Sequence, residues 1–126
     1  MSGDLLWQLV KQRHEHDCAI AIVATLAGVS YEQALLAFGS TVPKGAHYPD
    51  IRRAAKKLGL TLRYRRVPDL ETDRGALAVR ADDWPCDHLV ILDSGWVFDL
   101  QDLRVGDVTD YLLVHQARPL SLLRVP

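Results

Sequence analysis

The chain has 126 residues, 48% of them hydrophobic, and its 15 Lys and Arg nearly balance 16 Asp and Glu for a formal net charge of −1. That is the length of a single domain (1–126) with enough apolar material for a core, and the charge balance suggests neither nucleic acid nor an anionic membrane as partner. The longest apolar run, Ala19 to Val29, is broken by Thr25 and Gly28, is too short to span a bilayer and follows no signal-peptide charge order, so a cytoplasmic protein without membrane insertion is expected.

Residues 4 to 11 are apolar enough for a short strand or one or two helical turns, and periodicity does not decide between them. Asp17 is a good N-cap, which predicts a helix from about Cys18 to Ala27 with Gly28 as its left-handed C′ residue. The helix is apolar on every face, the mark of a helix through the middle of a domain. Ser30 with Gln33 forms a capping box for a second helix, Tyr31 to Phe38, with Ala34, Leu35 and Phe38 on the buried side. Residues 39 to 47 read as a loop. A third helix, Pro49 to Leu58, sets Ile51, Ala54, Ala55 and Leu58 on one face and Arg52, Arg53, Lys56 and Lys57 on the other.

The pattern then changes to strands. Leu60 to Val67 alternates, Ala76 to Arg80 is short and apolar, and His88 to Leu92 and Trp96 to Leu100 flank the hairpin signal Asp93-Ser94-Gly95. Val105 to Leu113 reads as a short helix or a turn-rich connection, and Leu120 to Val125 as a closing strand held off by Pro119. Helices first and an antiparallel sheet later make the expected class α+β.

The chemistry gathers at Gln12 to Cys18. A thiol in the first turn of a helix meets unpaired backbone N–H groups and the positive end of the helix dipole, which favour a thiolate. Cys18 and Cys86 are expected as free thiols, because a domain of this size needs no disulfide and no export signal is evident. Acyl transfer also needs a base, a group that fixes the base's tautomer, and donors for the oxyanion. His88 supplies the base; the Cys18 N–H and the Gln12 amide are placed to converge on one oxygen. His88 and Asp99 flank the hairpin, and a two-residue loop at Asp93-Ser94 or a four-residue loop from Leu92 to Gly95 sets them directly opposite on one face. Asp87 and Asp102 are the alternatives for orienting His88.

Gln12 six residues before Cys18, Asp17 just before it, the buried helix, a helix ending in Leu58-Gly59-Leu60, a late strand led by His88 and a second ending in Asp99 occur in a telling order. In this the chain resembles the papain-like cysteine peptidase superfamily and, within it, the bacteriocin-processing peptidase domain that cleaves leader peptides on certain ABC transporters. The resemblance runs from Gln12 to the final strand; Ala19 and Leu100 stand where that family usually has Gly and Pro. It implies a papain-like fold, a peptide or protein substrate, no cofactor, and catalytic roles for four residues: Cys18 as nucleophile, His88 as base and acid, Asp99 as the orienting group and Gln12 as oxyanion donor. An amine acceptor in place of water gives an acyltransferase with the same residues.

Two rival readings use the same side chains. His14, His16, Cys18, Cys86 and His88 supply enough ligands for tetrahedral zinc in a binding module, though without the usual spacing of structural zinc sites. A degenerate peptidase fold would dock a peptide without cutting it. His14 and His16 are otherwise expected at the rim of the groove, His47 and His115 on the surface, and Arg52, Arg53, Lys56, Lys57, Arg63, Arg65 and Arg66 as one solvated basic face.

Overall fold

The computed structural model describes residues 7–14, 17–39 and 47–126. His16, residues 4–6 and most of the expected loop at 39–47 lie outside the described residues. The described residues form helices α1 (Cys18–Ala27), α2 (Tyr31–Phe38), α3 (Tyr48–Lys57) and α4 (Val108–His115), and strands β1 (Arg63–Arg65), β2 (Arg74–Ala81), β3 (His88–Asp93), β4 (Trp96–Asp99), β5 (Arg104–Asp107) and β6 (Ala117–Arg124). The class is α+β: a six-stranded sheet, order β1-β6-β2-β3-β4-β5, with every neighbouring pair antiparallel.

Local signals set the helices. Gly28 closes α1 with φ 71°, and Ser30 and Gln33 make both hydrogen bonds of the capping box on α2. The buried side of α2 is Tyr31, Ala34 and Ala37; Leu35 and Phe38, expected to be buried, are only half-buried against the core. Helix α3 starts one residue earlier than expected, at Tyr48, and buries Ile51, Ala54 and Ala55.

The sheet is covered on both faces, which is why its inner strands read as continuous apolar runs. On one face Ala76, Ala78, Leu89, Ile91, Phe98 and Leu123 pack with α1, α2 and α3; on the other, Leu77, Val79, Val90, Leu92, Val97 and Leu122 pack with Val108 of α4. Gly75, at φ 150°, lets β2 approach β6 so closely that a Cβ there would collide with the Leu123 carbonyl oxygen.

Several expectations need correction. Residues 7–11 form neither strand nor helix: the segment crosses the surface with the Val10 N–H on Thr25 Oγ1 (2.9 Å) and Trp7 Nε1 on Asp93 (3.2 Å), side-chain anchors that hydrophobic periodicity does not report. The strand expected over Leu60 to Val67 shrinks to Arg63–Arg65, because β6 offers partners only from Leu122 to Arg124. Residues 105–113 divide into β5 and α4, with Asp107 capping the helix through the N–H groups of Thr109 and Asp110. Strand β6 runs through Pro119 instead of starting after it. Beside Pro119 the outer neighbour β1 is absent, and the β2 ladder slips register between Ala78 and Val79.

No single described helix is long and apolar enough to cross a membrane.

Candidate active site

Cys18 opens α1, where helix geometry leaves the first-turn N–H groups without intrahelical partners. Asp17 occupies the N-cap position but makes no side-chain cap bond. Its carboxylate turns back to accept the N–H groups of Arg13 (3.1 Å) and His14 (3.0 Å) and the Tyr31 hydroxyl (2.6 Å). The residue is 0% exposed. The expected cap is therefore a brace: Asp17 shapes the loop that carries Gln12 and leaves the helix start unobstructed at Cys18. The Tyr31 hydroxyl is pushed up to about 12 by burial, by its bond to Asp17 and by that carboxylate's charge.

His88 begins β3. The hairpin loop is two residues long, but it is Ser94-Gly95, one step later than the loops considered from sequence, with Asp93 paired to Trp96 and Ile91 to Phe98. Continued outward, this register sets His88 across from Gln101 and leaves Asp99 one diagonal step away on the same face. A diagonal pair is within reach of long side chains, and His88 Nε2 lies 3.0 Å from Asp99 Oδ1. The other candidate orienters are engaged elsewhere, Asp87 with Arg80 (2.8 Å) and Asp102 with Arg104 (3.0 Å).

Asp99 is held from three sides. Besides His88, Oδ1 accepts the Gln101 N–H (3.0 Å) and Oδ2 accepts the Tyr111 hydroxyl (2.9 Å). Burial alone would raise its pKa; the His88 hydrogen bond and charge, with the Gln101 and Tyr111 bonds, lower it below the usual carboxylate range. For His88, burial works against the imidazolium, but hydrogen bonds to Asp99 and to Cys18, with the charges of both, raise its pKa to about 9. With Nε2 on Asp99, Nδ1 is the ring nitrogen left to face Cys18.

These groups wall an open cleft of about 720 Å³ along one end of the sheet. Cys18 and Ala19 come from α1, Tyr48 and Ile51 from α3, Ala78, His88, Leu89 and Ser121 from the sheet, and Trp84 to Asp87 from the β2–β3 connection. The Trp84 ring meets His88 edge-on at 6.2 Å and His115 at 6.0 Å, while Tyr111 packs 4.4 Å from His115. A ring of contacts therefore closes through His88, Trp84, His115, Tyr111 and Asp99.

Of the residues singled out from sequence, Cys18, His88 and Asp99 come together in this cleft. Gln12 is buried, not an exposed loop residue; its N–H bonds Leu100 O (2.8 Å) and its Nε2 donates to His14 O (2.6 Å), and it is not among the described residues lining the cleft. His14 is exposed and also off the cleft wall. His47 and His115 are exposed, as expected, but both line the cleft. Cys86 is a free, exposed thiol on the cleft wall. Among the described residues no group of three or more His, Cys, Asp and Glu is placed to hold a metal ion. Tyr111 and Trp84 had no signal in the sequence: one depends on where α4 packs, the other on the path of a connection.

No protein-family model matches this chain, and no curated protein does.

Proposed function

We propose that the chain is a thiol-dependent peptidase or amidase of papain-like arrangement, akin to the leader-peptide-processing branch, acting in a reducing compartment such as the cytoplasm. The observation that carries this reading is the position of His88, with Nε2 on Asp99 and close enough to Cys18, at the mouth of a buried helix, to interact with its thiol, inside a cleft large enough for an extended peptide. Cys18 attacks the carbonyl carbon as the thiolate of a thiolate–imidazolium pair. The Cys18 N–H stabilises the oxyanion; the Gln12 amide, which donates to His14 O and is buried off the cleft wall, serves as second donor only by turning its other hydrogen into the cleft. Imidazolium His88 gives its proton to the leaving amine and then removes one from water, which cleaves the thioester and frees Cys18.

The test compares the two thiols. Cys86 is exposed and Cys18 half-buried, so accessibility alone favours Cys86. Iodoacetamide with mass-spectrometric identification is expected to label Cys18 first, and His88→Ala to abolish that preference. Wild-type protein is expected to cleave members of a random peptide library, and Cys18→Ala none. Preferential labelling of Cys86, or turnover by Cys18→Ala, overturns the reading.

A further inference from the structure

The cleft and its surroundings differ in charge. Among the described residues no Lys or Arg lines the cleft; its carboxylates are Asp87, paired with Arg80 from outside, and Asp99, paired with His88. Tyr48 is part of the cleft wall, and its ring packs 5.6 Å from that of Tyr64, a half-exposed residue on β1. Beside this pair lies Arg52, one turn after Tyr48 on α3, its Nε donating to Leu62 O (3.2 Å). Arg66 is exposed just beyond β1.

The basic residues expected as one face do not form one. Arg63 and Arg65 alternate with Tyr64 and take the opposite face of the strand. Arg65 and Arg124 share buried Asp73, and Arg53 pairs with Asp50. Arg80 pairs with Asp87, and Arg118 with Asp82. Arg52, on α3 beside Tyr48, and Arg66, one residue past β1, have no ion pair with an acidic side chain among the described residues. Strand β1 is also the sheet's outer edge, paired only to β6, so its far side presents backbone groups to an extended chain.

We propose that the substrate is a peptide with an acidic segment to one side of the bond attacked, and that this segment leaves the cleft past Tyr48 onto Tyr64, Arg52 and Arg66. The proposal rests on the reading of Cys18 as a peptide-cleaving nucleophile. Guanidiniums match carboxylates geometrically, and Arg52 is already oriented by its bond to the strand. Nucleic acid fits less well: the surface offers a single exposed aromatic ring instead of a stacking series, and the chain's net charge of −1 gives a long polyanion no general attraction.

A random decapeptide library incubated with immobilised Cys18→Ala protein, with bound sequences identified by mass spectrometry, tests this without requiring turnover. Asp and Glu are expected to be enriched at consecutive positions, by about threefold to tenfold over the input. The enrichment is expected to be lost in Arg52→Glu/Arg66→Glu protein and in about 0.5 M salt. Arg66→Glu alone, at a side chain with no ion pair among the described residues, is expected to halve it at least, and both sets of substitutions, made with Cys18 retained, to keep wild-type alkylation of Cys18. Absence of acidic enrichment, its persistence in the variants, or tighter binding of a single-stranded oligonucleotide overturns the proposal. Capture of acidic peptides by a protein whose wild-type form cleaves none of them would instead sink the peptidase reading and leave this surface standing.

Discussion

Asp17 and Asp99 flank the Cys18–His88 pair with almost the same hydrogen-bond set and opposite consequences. Each is a buried carboxylate that accepts a tyrosine hydroxyl, Tyr31 in one case and Tyr111 in the other. Asp17 fills its remaining capacity with two backbone N–H groups of its own loop and is sealed at 0% exposure. Asp99 takes one backbone N–H and an imidazole, and it sits on the wall of the cleft. Exchanging one amide donor for a titratable ring, on the wall of an open cleft, turns a device that fixes a loop into one that tunes an imidazole.

Removing the two carboxylates should therefore break different things. Asp99→Ala is expected to lower kcat by about 10²-fold to 10⁴-fold, because His88 loses the partner that fixes its tautomer and stabilises its charge. At about pH 10, where His88 is neutral and its pairing with Asp99 no longer adds stability, the variant's denaturation midpoint in urea should move little, since water from the cleft can satisfy Tyr111 and Gln101. Asp17→Ala leaves the Arg13 and His14 N–H groups and the Tyr31 hydroxyl without their acceptor in a sealed site. A loss of about 3 kcal/mol is expected, read by urea denaturation. If the two variants exchanged these phenotypes, the division of labour would be wrong.

The pH dependence belongs to the Asp99 side. His88 is raised from its ordinary 6.5 to about 9 in the folded chain, so its contribution to stability is fully present below about pH 6.5 and is lost as pH rises through about 9. In the proposed mechanism the imidazolium protonates the leaving amine, so kcat/KM should fall on the alkaline side with a midpoint near 9. Asp99→Asn removes the carboxylate's share of that shift and should move the alkaline limb toward neutrality by about one unit or more. A limb that stays in place would remove Asp99 as the source of the shift.

The same contrast explains what could be read from the sequence. Signals that act within a few residues were legible: the Ser30–Gln33 box, Gly28 after Ala27, and the switch from helical to strand patterns at Gly59. That Cys18, His88 and Asp99 come together was legible because a thiol at a helix start and a histidine and aspartate across a hairpin are short-range geometry. The hairpin's register was misplaced by one residue; Asp99 still faces His88 because a two-residue shift in the pairing sum preserves strand parity. The direction of the Asp17 side chain was not legible, because a cap and a brace look identical until the incoming loop is placed. Tyr111 was out of reach for a similar reason: its hydroxyl meets Asp99 only because α4 follows β5 onto the face opposite α1. Pro119 misled because a proline inside β6 is tolerable only where β1 has already ended.

The smallest and most discriminating effect concerns the two tyrosines. Tyr31→Phe and Tyr111→Phe each delete one hydroxyl that donates to a carboxylate and leave the ring in place. At Asp17 the lost bond lies in a sealed site, and Tyr31→Phe should cost about 1–2 kcal/mol of stability with kcat and KM unchanged. At Asp99 the lost hydroxyl was one of three donors and faces the cleft, so Tyr111→Phe should cost less stability. It frees Oδ2 from a donor that holds the carboxylate in place and draws its charge away from His88. Asp99 then carries more charge toward the imidazole but is less well oriented, so kcat should fall by about threefold to tenfold at unchanged KM while the alkaline limb stays near 9 or moves higher. A limb that moved down in Tyr111→Phe would mean that Tyr111 acts by keeping Asp99 against His88 at all, a positioning role of larger consequence than a third hydrogen bond.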